Sequence, residues 1–127
     1  MNIEWFYIAI VLACSDELHG IIWHTFSDFY IIFGEMVYNI VQSSFITWIT
    51  HEVLEAIFHV IILTLVFQSP TIGILAGAIH LVIDLYHNYF NLEMTWLQHR
   101  SLHFVIESIF FMIILAMKKK TLDSKQK

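Results

Sequence analysis

Long apolar runs, each broken at helical intervals by single polar side chains, set the pattern of this chain. One run extends from about Phe45 to Gln68 and is interrupted by His51, Glu52, Glu55 and His59. A second, from about Pro70 to Phe90, carries His80, Asp84 and His87. A third, from about Trp96 to Met117, carries His99, Arg100, His103 and Glu107. Each is close to the ~20 residues an α-helix needs to cross a bilayer. Local signals mark the ends. Ser44 is placed to cap the first run. Ser69 can cap the second, with Pro70 at the first helical position, where its missing N–H costs nothing. Thr95 and Gln98 in "TWLQ" fit a capping box, and a run of lysines closes the third.

The first 43 residues are less regular. The stretch 21–42 is apolar enough to span, with polar interruptions. The stretch 3–14 is apolar but short and is followed by the polar knot "SDELHG". It is expected to be a separate span, a half-helix or an interfacial helix. The pattern predicts an all-α fold, a polytopic membrane bundle of four to five transmembrane helices in one domain over residues 1–127. Residues 118–127 form a basic tail. Gly73 and Gly77 in "GILAG" predict a small-residue face for close helix contact.

Composition supports the bilayer as solvent. Hydrophobic residues make up 58% of the chain and charged residues only 13%. A soluble domain of this length leaves too much surface exposed to hide so much apolar area. Five of the six basic residues, Lys118, Lys119, Lys120, Lys125 and Lys127, lie in the tail, which leaves Arg100 as the one base among residues 1–117. Against it stand Glu4, Asp16, Glu17, Asp28, Glu35, Glu52, Glu55, Asp84, Glu93 and Glu107. Ion pairing with one arginine cannot serve them all, so protons, cations or water must. A lysine cluster after an apolar helix is the flank that the positive-inside rule places in the cytoplasm, and it is not read as a nucleic-acid site. With Cys14 the only cysteine, there is no disulfide framework or thiolate cluster. The segment "MNIEWFYIAIVLAC" lacks a basic n-region, so it is read as part of the bundle and not as a cleaved leader.

The polar interruptions are not scattered. His51, Glu55 and His59 step by four residues, as do His99, His103 and Glu107. His80, Asp84 and His87 close two turns. His24, Asp28 and Glu35, with Glu17, share a face if the helix there is continuous. Lipid cannot solvate such stripes, so they are expected to turn inward and converge. Imidazole and carboxylate without thiolate suit divalent metal ions such as zinc or iron, with two or more ions in a bundle core. The expected ligands are His51, Glu55, His59, His80, Asp84, His87, His99 and His103, with His24 and Asp28 as additional donors. Glu107 and Glu35 are candidates for a general base or proton relay. Arg100 is either an interfacial side chain or a clamp for an anionic substrate group. His19 and Glu52, read singly, are expected at the interface, and Trp5, Trp23, Trp48 and Trp96 as interfacial anchors.

At "DLYH" and "QHRSLH" the chain resembles the small integral-membrane metal-dependent hydrolases of the YdjM type. Asp84, His87, His99, Arg100 and His103 match their Asp/His pair and His-Arg…His box, without its Gly and Thr and one residue shorter. The resemblance implies metal-dependent hydrolysis, which fits a lipid-like substrate entering from the bilayer. His99 and His103 also resemble one histidine box of membrane desaturases, and the order of pairs resembles hemerythrin-type diiron bundles. A membrane diiron oxidoreductase is therefore an alternative. A divalent metal or proton transporter, which would have to form a homo-oligomer at this size, is another. A haem-binding electron-transfer subunit with two histidine ligands is a third.

Overall fold

The computed structural model describes residues 3–125. These residues form five helices and no strand: α1 (Glu4–Thr25), α2 (Ser27–Val41), α3 (Ser44–Phe67), α4 (Pro70–Tyr89) and α5 (Trp96–Lys125). Four of them, α1, α3, α4 and α5, are long and apolar enough to cross a membrane.

The helix ends follow the chemistry of the chain closely. Ser69 Oγ accepts from the Ile72 N–H at 3.4 Å, with Pro70 opening α4. At α5 the Thr95 N–H donates to Gln98 Oε1 at 2.9 Å, and the Gln98 N–H donates back to Thr95 Oγ1 at 3.3 Å. This is the reciprocal capping box. The cap of α3 is Ser43 and not Ser44. Gln42 turns left-handed (φ 51°), Ser43 is extended, and its hydroxyl reaches Ile46 N at 3.4 Å.

The N-terminal region departs further from expectation. The knot "SDELHG" does not end a helix. It lies within the 22-residue α1, because Ser15 and His19 continue the buried stripe begun by Ile8 and Leu12. The apolar stretch 21–42, in turn, is no single span. It breaks at Phe26 (φ −110°, ψ 32°), just after the Thr25 hydroxyl donates to its own helix at Ile21 O, 2.8 Å away. Such back-bonding bends helices.

In the bundle α1 packs on α3, α3 on α4, α4 on α5, and α5 returns to α1, with α2 laid against α3. The closest pair is α3 and α4. A methyl group on Gly73 would collide with Thr64 and the Val60 carbonyl, and one on Gly77 with Val60 and the Ala56 carbonyl. The small-residue face is thus used as expected, and it brings two backbones almost into contact.

One layer of the bundle is apolar. It joins Ile8 and Leu12 from the first half of α1, Leu63 late in α3, Ala76 early in α4 and Phe111 in the second half of α5. Neighbouring helices therefore alternate in direction. The opposite halves of the same four helices meet in a second layer, and nearly all the polar interruptions lie there.

Candidate metal centre

The second layer takes its side chains from the end of α1, the start of α3, the end of α4 and the start of α5. Three carboxylates organise it. Glu55 Oε1 lies 3.2 Å from His19 Nδ1 and 3.7 Å from the Nε2 atoms of His59 and His80, and its Oε2 is 3.6 Å from His51 Nε2. Asp84 reaches two ways. Its Oδ2 is 3.3 Å from His80 Nε2, while its Oδ1 is 3.2 Å from His103 Nε2 and 3.5 Å from His99 Nε2. Glu107 Oε1 is 2.9 Å from His80 Nδ1 and 3.2 Å from His103 Nδ1.

Proton positions on the rings follow from the tautomer each one adopts. In one such arrangement the Nδ1 atoms of His80 and His103 each donate to the Glu107 carboxylate, which only accepts. In the neutral rings the Nε2 atoms then carry lone pairs. His59 is set the same way when its Nδ1, 2.7 Å from Ser15 Oγ, donates to that hydroxyl. In that arrangement three imidazole lone pairs face carboxylate oxygens. That contact is repulsive unless a positive ion or a proton stands between them. Nε2 of His59 and of His103 are buried and make no hydrogen bond. Three groups of donor atoms lie close enough to hold an ion: Asp16, Glu55, His59 and His80; His80, His103 and Glu107; Asp84, His99 and His103. The donor set fits divalent cations by type and by closeness.

Charge balance points the same way. Arg100 pairs with Asp16 and, through Nε at 3.0 Å, with Glu17, so the fixed positive charge of the layer is spent on α1. Glu55, Asp84 and Glu107 remain with imidazoles for company, and Glu107 is only 1% exposed. Each such ion costs several kcal/mol to desolvate.

A cavity of about 420 Å³ opens beside the cluster, walled among others by Asp16, Glu52, Glu55, His87, His99 and Arg100. The cluster gathers eight of the residues expected from sequence: His51, Glu55, His59, His80, Asp84, His99, His103 and Glu107. Arg100 and His87 stand on the cavity wall. Both ring nitrogens of His87 lack a hydrogen bond, and its ring centroid is 5.0 Å from that of His99. His24, Asp28 and Glu35 are exposed and lie apart, because the break at Phe26 ends the face they were expected to share.

Ser15, Asp16 and His19 join the centre without having been expected there. The spacing Ile8, Leu12, Ser15, His19 was their signal, masked by reading the polar knot as a break. Glu52 and His19, expected at the interface, are buried, and His19 faces across to Glu55 on α3. Trp23, expected as an anchor, packs its ring 4.2 Å from that of His51.

Fold and site together define a class: a helical bundle of membrane-spanning proportions whose interior holds His/Asp/Glu groups that could bind metal. Comparison with protein-family models, with curated proteins and with solved structures finds no match for the chain.

Proposed function

We propose that this is an integral membrane metalloenzyme with a polynuclear His/carboxylate centre, hydrolysing a lipid-like substrate. The observation that carries the reading is the set of buried imidazole Nε2 atoms 3.2 to 3.7 Å from carboxylate oxygens, with those of His59 and His103 making no hydrogen bond. One ion is assigned to Glu55, His59 and His80, and a second to Asp84, His99 and His103. Asp84 stands between them, since one oxygen faces His80 and the other faces His99 and His103. Glu107 and Ser15 hold the ligating rings from behind, the role that outer-shell partners play in metal sites. Bound divalent ions would supply Lewis acidity and lower the pKa of water. The chain supplies the rest. Glu52 and His87 on the cavity wall are placed to take up a proton. Arg100, paired with Asp16 and Glu17, ties α5 to α1 at the cavity wall.

Hydrolysis is preferred over oxygen chemistry on the resemblance of Asp84, His87, His99, Arg100 and His103 to the motif of the YdjM-type hydrolases. A carrier role is disfavoured by the apolar layer of Ile8, Leu12, Leu63, Ala76 and Phe111, which closes the bundle beneath the cluster. Haem is disfavoured by carboxylates wedged between imidazoles whose centroids are 4.2 Å (His59–His80) and 4.5 Å (His80–His103) apart.

The test is elemental analysis of protein purified in detergent after metal-replete expression. Close to two zinc or iron ions per chain are expected, with His80→Ala and Asp84→Ala each losing metal. A content near zero ends the proposal, and an iron content with an oxygen-dependent optical spectrum would move it to the diiron alternative.

A further inference from the structure

A second cavity, of about 380 Å³, lies between α2 and α3, and it shares Trp23 and His51 with the cavity at the metal centre. Its walls include Trp23, Tyr30, Phe33, Val37, Trp48 and Leu54. The threonines that border it are spent elsewhere. Thr47 Oγ1 donates to Ser43 O and Thr50 Oγ1 to Ile46 O, each at 2.9 Å, within their own helix. The groove is thus lined by hydrocarbon although polar residues border it. It also stays open. No residue of α2 is buried, and a Cβ on Gly34 would meet nothing within 4 Å. The outer face of α2 exposes Phe29, Ile31, Ile32, Met36 and Ile40, so this helix is itself suited to lipid.

We infer that this groove seats the hydrocarbon chain of a single-chain amphiphile whose anionic head enters the metal cavity past Trp23 and His51. The inference rests on the metal-centre reading for the place of the head. The occupant follows from the way the two cavities adjoin at Trp23 and His51. One cavity is lined by carboxylate, imidazole and guanidinium, the next by aromatic and aliphatic carbon, and Trp23 stands at the junction, its ring 4.2 Å from that of His51 and 4.1 Å from that of Tyr30. A ligand filling both must be polar at one end and apolar along the other. From His51 back to Ser44 the groove follows about 10 Å of α3 at ~1.5 Å per residue, enough for a run of methylenes.

The probe is a long-chain alkyl phosphonate with a diazirine at the chain terminus, photolysed on the purified full-length protein. Saturable label on the segments 30–38 and 44–54, displaced by the unlabelled phosphonate, is expected. Gly34→Trp, which fills the groove from a surface position, should reduce that label to background while metal content stays at the wild-type level, and Gly34→Ala should leave both unchanged. Label spread evenly over the outer faces of α4 and α5, or undiminished in Gly34→Trp, would overturn the inference. So would label that appears only on dilution to a monomer, which would give the groove to a second copy of the chain. Groove label in a protein without metal would support the chain site and sink the metal centre.

Discussion

Glu107 is outside the two proposed ligand sets, yet it contacts two of the proposed ligating rings. Its Oε1 lies 2.9 Å from His80 Nδ1 and 3.2 Å from His103 Nδ1, and those nitrogens lie 3.2 Å from each other. Gln at this position keeps a neutral acceptor of the same shape but removes the charge that makes the imidazoles stronger donors. Glu107→Gln is expected to bind metal ~10–100-fold more weakly, the usual cost of losing such a partner. Chelator competition measures it, and an unchanged affinity would remove Glu107 from this role. At the same scale the sequence was legible where a residue type and a helical spacing coincide, as for His80, Asp84 and His103. It was less so where one polar residue has two readings. Asp16 and His19 read as a helix end because their neighbours Glu17 and Gly20 are polar or small. Only the stripe from Ile8 shows that they turn inward.

At the scale of the element, the three C-terminal spans were legible because each carries both a long apolar run and its own cap. The break at Phe26 was not, since nothing in "HTFSD" forbids a continuous helix. The contact that matters most between elements is α3 on α4, since it sets Glu55 and His59 against His80 and Asp84. Gly77→Leu would force those backbones apart and is expected to destabilise the protein by about 1–3 kcal/mol, as overpacking does. Metal content should fall with it. Thermal unfolding in detergent, with Ile74→Leu on the exposed face of α4 as control, is the measurement. An unshifted melting temperature would show that the close approach is dispensable.

For the whole molecule, the apolar and polar layers divide the bundle into two unequal ends. Lys118, Lys119 and Lys120 follow the apolar end, and on the positive-inside rule we propose that this end faces the cytoplasm. The cavity at the cluster would then open toward the opposite side. In a Cys14→Ser background, Ser124→Cys should resist a membrane-impermeant thiol reagent in intact cells, and Glu93→Cys in the exposed turn before α5 should react. The reverse pattern would invert the orientation and give the cavity to the cytoplasm.

The sequence alone determined that the chain is helical, that most of its helices are long enough for a bilayer, and that donor side chains recur in stripes. Those properties follow from hydropathy and a fixed helical period, which act within one segment. The tertiary structure decided which stripes meet. It bent α2 away with Asp28 and Glu35, brought α1 in with Asp16 and His19, and aimed ring nitrogens of α3, α4 and α5 at shared carboxylates. Convergence depends on how helices pack and in which direction each runs, and no local spacing encodes the distance between side chains on different helices.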